Sequence, residues 1–230
     1  VYWQVRIKDN YNRISDWSDP AFFEMGLLSE DDWQASWIEM DIEEDSTVSQ
    51  PAQYFRKAFH LDQPVRKARL YITCHGLYQS LINGKKVTAQ VFTPGWTTYE
   101  KRLQYQTYDV TKLLEKDANV LGIILGDGWY RGNMGWEDNR NIYGKTLAAL
   151  ARLEVEFTDG SKEIIVTDGT WKASNDGPIL MSDIYNGEMY DARKVMDGWA
   201  SDGFDASGWQ SVKVMDYIKS NLVAPLGPPV

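Results

Sequence analysis

Residues 1 to 8 alternate between apolar and polar side chains. Trp3, Val5 and Ile7 fall on one face of an extended chain, and the positions between them are polar. A period of two residues predicts a half-buried β-strand. After a polar turn, a second short apolar run at residues 21 to 25 predicts the partner strand of a hairpin.

From residue 53 onward, short β-type runs alternate with turn signals. These runs cover residues 53–61, 67–74, 78–82, 102–108, 119–125, 147–157 and 163–167. Asn83-Gly84 and Asp159-Gly160 are strong hairpin markers. The one convincing helical turn is Asp109 to Glu115, where Asp109 or Thr111 is a suitable N-cap. Many short strands with one short helix predict an all-β fold of the sandwich or jelly-roll type.

Composition narrows the classes of function. The chain has 230 residues, of which 43% are hydrophobic and 13% aromatic, enough for a substantial core. A net charge of −9 without a basic stripe argues against nucleic acid as a partner. No apolar run reaches the ~20 residues of a membrane span, and no signal peptide is recognisable. The single cysteine, Cys74, reads as a strand residue, and His60 and His75 lack the spacing of a zinc site.

The stretch from Leu121 to Leu147 joins an apolar strand to a long loop of unusual composition. The strand needs only its Leu and Ile residues, whereas the loop is crowded with Gly, Trp, Tyr, Asn and acidic side chains. Long loops on rigid scaffolds are frequent places for binding sites. Flat aromatic rings beside amides and carboxylates suit a polar, ring-shaped ligand such as a sugar.

We therefore expect the aromatic side chains of the loop to stack on a pyranose and the polar ones to hydrogen-bond its hydroxyl groups. The candidate ligand-binding residues are Asp127, Trp129, Trp136, Glu137, Asp138, Asn139, Asn141 and Tyr143. At Trp129 and Tyr130 the favoured alternative is packing at the end of the sandwich, with Arg131 over them. Trp136 and its polar neighbours are the better binding candidates.

Two parts of the sequence resemble known families. Residues 1 to 28, with Asp16-Trp17-Ser18-Asp19-Pro20, resemble the last hairpin of a fibronectin type III domain. A complete module of that kind needs ~100 residues, so the segment is interpreted as its tail.

Four later segments resemble, in order, the N-terminal β-sandwich of bacterial α-L-rhamnosidases. They are His75–Val87, Thr93–Arg102 with Tyr105–Thr111, Leu125–Gly132 with Asn141–Gly144, and Ser182–Arg193. The Asn-Gly-Lys hairpin also resembles the wider class of galactose-binding-type jelly rolls.

The resemblance implies that catalysis takes place in a separate domain. In this family a separate helical (α/α)-barrel hydrolyses terminal L-rhamnose by an inverting mechanism, and nothing in this sequence resembles that barrel. The chain is thus expected to be a non-catalytic accessory module, without catalytic residues. Its expected partners are an L-rhamnose-containing glycan and the catalytic domain of the same polypeptide. We expect a fibronectin-like remnant at 1–28, the sandwich at 29–223 and a linker at 224–230.

The resemblance also raises the question of calcium. Some related modules of rhamnosidases bind L-rhamnose through this cation, which prefers carboxylate, amide and carbonyl oxygens. Asp138, Asn139 and Asn141 supply those atom types at close spacing, and they are the candidate metal ligands.

Two alternatives stay open at this point. The module could be purely structural, bracing the catalytic domain without binding sugar. It could itself hydrolyse glycosides, which needs two carboxyls ~6.5–9.5 Å apart. Glu137, Asp138, Asp183, Glu188 and Asp191 are clustered acids, although solvated or ion-paired loop carboxylates are the more common explanation. An enzyme attacking external polysaccharide would be exported, which favours the periplasm or the cell exterior over the cytoplasm.

Overall fold

The computed structural model describes residues 1–135, 139–225, 227 and 230, and the chain is built mainly of strands. The strands are β1 (Tyr2–Trp3), β2 (Ala21–Phe22), β3 (Trp37–Met40), β4 (Gln53–Leu61), β5 (Val65–His75), β6 (Leu77–Ile82), β7 (Lys85–Lys86), β8 (Leu103–Gln104), β9 (Gln106–Asp109), β10 (Asp117–Gly126), β11 (Ala148–Phe157), β12 (Lys162–Val166), β13 (Lys172–Ser174), β14 (Ile179–Asp183), β15 (Gly187–Tyr190), β16 (Gln210–Met215) and β17 (Leu222–Val223). The helical segments of the described residues are α1 (Gly128–Arg131) and the 3₁₀ turns Asp31–Trp33, Thr111–Leu113 and Ala192–Lys194.

Eleven of the described strands form one antiparallel sheet. Its order is β7-β6-β10-β4-β13-β16-β3-β11-β5-β9, and β12 pairs with β11. Strand β16 connects the two halves, because its first residues pair with β13 and its later ones pair with β3. The halves face each other across one core, in which Phe55 and Ile123 from one side meet Ile72 and Leu153 from the other. This curled β-sandwich confirms the all-β, jelly-roll prediction.

A second apolar cluster covers the outer face of β5 and β11. There Tyr71 and Leu150 are buried beneath an aromatic layer that includes Trp33, Trp37 and Tyr105. Alternate residues of these two strands therefore enter one cluster or the other, which explains why β11 is buried on both faces over most of its length. Trp129, Tyr130 and Tyr143 pack against this second cluster, and it thereby anchors the loop that follows β10.

Local sequence signals agree with the structure at several elements. The run predicted at residues 53–61 is β4 with the same bounds. Asn83 and Gly84 have φ values of 50° and 76°, the left-handed pair that a two-residue hairpin requires. The predicted helical turn is the 3₁₀ segment Thr111–Leu113, and Asp109 Oδ1 accepts a hydrogen bond from Thr111 N. The run at 102–108 is instead two strands, because β8 pairs in parallel with β17 while β9 pairs with β5.

The N-terminal hairpin differs from its prediction in length and burial. Only Tyr2–Trp3 and Ala21–Phe22 form a regular ladder, and Val5 and Ile7 are exposed. Beyond this ladder, serine hydroxyl groups instead of backbone carbonyls accept hydrogen bonds from the first strand. Val5 N donates to Ser18 Oγ, and Ile7 N donates to Ser15 Oγ. The prediction that one face of this strand is half-buried is therefore wrong, because no layer of described residues covers Val5 and Ile7.

Candidate functional site

The loop after β10 begins with a single helical turn that separates its side chains into two groups. Residues four apart lie on one side of a helix, so Asp127 and Arg131 face the same way while Trp129 faces another. Gly128 makes the tight entry possible. Its φ is +54°, and a Cβ there would lie 2.5 Å from Leu77 Cγ. The turn thus places Asp127 on an ionic side of the loop and Trp129 on an aromatic side.

Asp127 is the centre of the ionic side. Its side chain is 1% exposed, and both carboxylate oxygens are engaged. Arg131 Nε donates to Oδ1 at 2.5 Å, and Arg140 Nη2 donates to Oδ2 at 3.0 Å. A carboxylate that accepts hydrogen bonds from two guanidinium groups has little capacity left for a sugar hydroxyl. Asp127 therefore has a structural role, which is to hold Arg131 and Arg140 in place.

The two arginines extend this network to distant parts of the chain. Arg131 Nη1 donates to Glu44 Oε2 at 2.5 Å, and Arg140 Nη1 donates to Ser49 Oγ at 2.9 Å. Arg140 Nη1 also lies 3.6 Å from Asp183 Oδ2. The loop is therefore tied to the segment before β4 and to the end of β14.

Charge balance accounts for the stability of this buried network. Burial on its own would lower the pKa of Arg131, but the neighbouring charges of Asp127 and Glu44 outweigh it and raise that pKa above its ordinary value. Buried charges that are paired and hydrogen-bonded keep their ionised forms. The network is hence a rigid base for the rest of the loop.

The aromatic side forms an exposed face. Trp96 stacks on Trp129 with ring centroids 5.8 Å apart and planes 9° from parallel, and Phe92 lies 5.7 Å from Trp129 on a tilted plane. Trp96 is 51% exposed and Phe92 48% exposed, whereas Trp129 is half-buried. Trp96 Nε1 donates to the hydroxyl of Tyr143 at 3.1 Å, which fixes the rim of the indole. We call Phe92, Trp96, Trp129 and Tyr143 the aromatic face.

A buried stack of rings supports the aromatic face from behind. Tyr99 packs edge-on against both Tyr143 and Tyr130, with centroid distances of 4.8 and 5.4 Å. His75 lies between Tyr130 at 4.6 Å and Trp37 at 4.4 Å. Burial lowers the pKa of His75 to about 4, so the imidazole is neutral at pH 7. Tyr130 thus packs as the alternative interpretation expected, while Arg131 points into the ionic network.

The other predicted ligand-binding residues have different surroundings. Asn139 is exposed and forms an isolated bridge with Met134. Asn141 has a left-handed backbone with φ 60°, and its Nδ2 donates to the carbonyl of Ser46 at 2.7 Å. Its Oδ1 is buried and has no hydrogen-bond partner among the described residues. Trp136, Glu137 and Asp138 lie outside the described residues.

The remaining clustered acids have structural partners or face solvent. Asp183 is buried, and its Oδ1 accepts from the backbone N–H groups of Tyr185 and Asn186. Asp191 pairs with Arg193 at 2.7 Å, and its Oδ1 also accepts a hydrogen bond from Arg193 N. Glu188 is exposed on β15.

Some residues of the site were not predicted from the sequence. Phe92 and Glu44 precede the loop by 35 residues or more, and only the fold brings them to it. For Trp96 and Tyr99, in a Pro- and Gly-containing segment, the sequence favours packing as the default explanation and leaves contact with the same loop as the alternative. The usable local signal was the spacing of Asp127 and Arg131, which is that of a helical ion pair.

The described residues contain neither a metal-binding cluster of acidic, His or Cys side chains nor a membrane-spanning helix. No group of three or more His, Cys, Asp or Glu side chains in that part of the chain is arranged to hold a metal ion. Of the three candidate calcium ligands, Asn141 contributes one unpartnered oxygen, Asn139 is exposed and Asp138 is outside the described part. No described helix has the length and apolar character needed to cross a bilayer.

Comparison with known families gives two matches along the chain. Residues 63–230 match the model of the alpha-L-rhamnosidase N-terminal domain. Residues 1–29 match the model of a Rha78A-like, N-terminal immunoglobulin domain, which covers the segment predicted to be the tail of a fibronectin-like module. Immunoglobulin and fibronectin type III domains share the sandwich architecture.

Individual relatives agree with the family models. An alpha-L-rhamnosidase from Formosa agariphila is 41% identical over 98% of this chain, which corresponds to 25% of that protein. The native rhamnosidase structure from Aspergillus terreus is 42% identical with a TM-score of 0.96, covering 99% of this chain and 27% of that one. The Streptomyces avermitilis enzyme complexed with L-rhamnose is 43% identical with a TM-score of 0.75, over 79% of this chain and 18% of its own. This chain therefore spans about a quarter of the length of such relatives.

The sandwich is also found in proteins that are more distant in sequence. The apo form of a Pleurotus ostreatus lectin superposes with a TM-score of 0.57 at 19% identity, over 84% of this chain and 46% of the lectin. This likeness concerns the fold alone.

Proposed function

Since the chain belongs to the alpha-L-rhamnosidase N-terminal domain family, we propose that it is a non-catalytic accessory module that binds carbohydrate through its aromatic face. The parent enzyme would hydrolyse terminal L-rhamnose from glycans in another domain of the same polypeptide. In this proposal residues 1–28 are the tail of an immunoglobulin-like domain, residues 29–223 form the accessory sandwich, and residues 224–230 lead to the next domain.

The observation that carries the proposal is the exposed, pre-stacked pair Trp96 and Trp129. A sugar ring presents C–H groups on one face, and a flat indole of fixed orientation buries them at low conformational cost. Trp96 already rests on Trp129 and is hydrogen-bonded to Tyr143, so binding needs little reorganisation. The names of the relatives, one of them complexed with L-rhamnose, favour L-rhamnose or a rhamnoside as the ligand.

Calorimetric titration of the 230-residue chain with L-rhamnose, with calcium and with a chelator, tests the proposal. Saturable heat in both conditions supports binding by the aromatic face. Heat that chelation abolishes supports a calcium-dependent site and directs attention to Asp138, Asn139 and Asn141. Absence of heat with L-rhamnose and with longer rhamnosides contradicts carbohydrate binding.

The aromatic face is tested by Trp96→Ala. Removing the exposed indole is expected to weaken binding about tenfold, equivalent to about 1.4 kcal/mol. Trp3→Ala is the matched control, because Trp3 is similarly exposed but lies on the N-terminal hairpin. Equal affinity of Trp96→Ala and the unaltered chain would show that the sugar binds elsewhere.

A second candidate function is mechanical support of the catalytic domain. The hairpin of β14 and β15 exposes Tyr185, Met189 and Tyr190, and large exposed apolar side chains in one place are typical of contact surfaces. Replacing Met189 and Tyr190 by Ser in the full enzyme would then lower its Tm or solubility while leaving KM unchanged. A selective rise in KM would count against a purely structural role.

A further inference from the structure

A cleft of about 260 Å³ lies next to the aromatic face. Its described walls come from the segment Gln90–Gly95, from Gln104 and Gln106–Tyr108, and from residues near the end of the chain. Pockets for drug-sized ligands begin at about 300 Å³, so this cleft suits a ligand the size of one sugar unit.

The lining of the cleft combines apolar residues with neutral polar ones. None of its described side chains is acidic or basic, whereas the cleft around Lys67, Arg69 and Glu156 is lined by many charges. A site that offers amides, hydroxyls and apolar surface but no charged side chain favours an uncharged, hydroxyl-rich ligand, because an ion placed there would lose hydration without gaining an opposite charge. The ligand class that fits is therefore a neutral sugar.

A chain of hydrogen bonds holds one amide of the cleft in place. The Tyr108 hydroxyl donates to Gln90 Oε1 at 3.0 Å and lies 3.1 Å from the Tyr78 hydroxyl, which donates to Gln106 Oε1 at 2.8 Å. Gln106 Nε2 in turn donates to the Pro94 carbonyl at 3.0 Å. Gln90 is thereby oriented while its NH₂ group keeps its hydrogen-bonding capacity among the described residues.

A second amide is free for a ligand. The side chain of Gln104 is half-buried in the same wall, and neither end of its amide is hydrogen-bonded within the described part of the chain. A half-buried amide offers both a donor and an acceptor to a vicinal pair of hydroxyl groups.

The cleft and the aromatic face are contiguous. Phe92 belongs to both, since it lines the cleft and its ring lies 5.7 Å from that of Trp129. Gly95 also lines the cleft, and the next residue is Trp96. A ligand stacked on Trp96 can therefore continue into the cleft past Phe92.

We propose that this cleft is a second subsite, which takes the neutral sugar adjacent to the one stacked on the aromatic face. The inference rests on the proposed carbohydrate-binding function and adds to it a preference for at least two sugar units without a carboxylate. Gln90 and Gln104 hydrogen-bond the second unit, and Phe92 forms the step between the two units.

Titration of the 230-residue chain with three probes tests the subsite. The probes are L-rhamnose, a neutral rhamnosyl-glucose disaccharide, and a rhamnosyl-glucuronic acid disaccharide of the same size. We expect the neutral disaccharide to bind at least fivefold more tightly than L-rhamnose and the uronic acid to lose that advantage. Gln104→Ala should remove the advantage without weakening L-rhamnose, and Gln63→Ala, at an exposed glutamine outside the cleft, should leave it intact.

The outcomes separate this inference from the function on which it rests. If both neutral ligands bind equally, or if Gln104→Ala retains the disaccharide advantage, the subsite is refuted while binding at Trp96 stands. If the uronic acid binds as tightly as the neutral disaccharide, the neutral-ligand preference is refuted. If none of the probes binds, the carbohydrate-binding function itself fails and the subsite fails with it.

Discussion

Asp127 and Arg131 lie one helical turn apart and form a buried ion pair, in which Arg131 Nε donates to Asp127 Oδ1 at 2.5 Å. The pair does not stand alone, because Arg140 reaches the second carboxylate oxygen of Asp127. The same acid thus joins the beginning of the loop to a residue thirteen positions later. These contacts hold Arg131 and Arg140 together across Asp127, and Trp129 and Tyr143 lie beside them in the described part of the loop.

Replacing Asp127 by Asn is expected to destabilise the fold. The amide keeps the shape of the side chain but leaves two buried guanidinium groups with too little negative charge, and breaking such a network costs roughly 3 kcal/mol. For a chain of this size that corresponds to a fall in Tm of about 6–12 °C. Thermal unfolding followed by circular dichroism measures it.

The control for this prediction is Asp191→Asn. Asp191 also pairs with an arginine, but the Arg193 side chain is largely exposed, and exposed pairs contribute little to stability. An unchanged Tm is expected. If both variants melted at the same temperature as the unaltered chain, the ionic network would have no special structural role.

A second prediction concerns the close approach of Gly144 to Tyr130. A Cβ at position 144 would lie 2.2 Å from the Tyr130 hydroxyl oxygen. The ring cannot withdraw easily, because it stacks on His75 and contacts Tyr99. Gly144→Ala is expected to lower the free energy of unfolding by about 1–3 kcal/mol, as overpacking does. Denaturant unfolding would measure the change.

Gly208→Ala is the matched control for Gly144→Ala. Gly208 likewise lacks a positive φ, and a Cβ there meets no atom within 4 Å. The two substitutions therefore change backbone freedom alike and differ in the steric contact. Equal stability of the two variants would mean that the loop tolerates displacement of Tyr130.

Local elements of this fold were predictable because their causes are local. Asn83 and Gly84 take the left-handed conformations of their hairpin, and Asp109 accepts the hydrogen bond from Thr111 that begins the 3₁₀ turn. Each of these features depends on residues a few positions apart. Propensity and side-chain hydrogen bonding are sufficient to identify them.

The site was less predictable because its contacts join distant segments. Arg140 reaches Ser49, which precedes it by 91 positions, and Phe92 meets Trp129 only because the strand order places their loops at the same end. The period of side chains along a strand indicates which face is buried but not which strand is its neighbour. The loop was thus identified from its composition, whereas the partition into ionic and aromatic sides required the fold.

A third prediction follows from the buried imidazole of His75. Its folded pKa of about 4 lies below the ordinary value of 6.5, so the unfolded chain binds the proton more readily. The contribution to stability is complete above pH 6.5 and is lost as the pH falls toward 4, by roughly 3 kcal/mol at most. Unfolding free energies measured between pH 4 and 7 would show this decline.

His75→Phe isolates the contribution of the imidazole. A phenyl ring retains the stack between Trp37 and Tyr130 but has no proton to bind. Burial raises the pKa of the nearby Glu39, so the contribution of Glu39 to stability falls as the pH rises from 4.5, opposite to that of His75. Both chains contain Glu39, so this effect cancels in the comparison. The free energy of unfolding of the unaltered chain, taken relative to that of His75→Phe, should therefore fall as the pH drops from 6.5 toward 4, and parallel curves would contradict the assignment.

The last prediction concerns the attachment of the N-terminal segment to the sandwich. Glu24 follows β2 and accepts hydrogen bonds from both Lys67 and Arg69 on β5, at 2.5 and 2.8 Å. The Arg69 hydrogen bond, supported by Lys67, lowers the pKa of Glu24, so the carboxylate stays charged to a lower pH than an unpaired glutamate does. Glu24→Gln is expected to accelerate amide hydrogen exchange in residues 1–28 severalfold, because local opening needs less free energy than global unfolding. Tm should change little, since partly exposed ion pairs contribute about 1 kcal/mol or less.

Glu30→Gln is the control for Glu24→Gln, because the exposed Glu30 forms no ion pair within the described chain. Acceleration in both variants, or in neither, would show that Glu24 does not hold the segment in place.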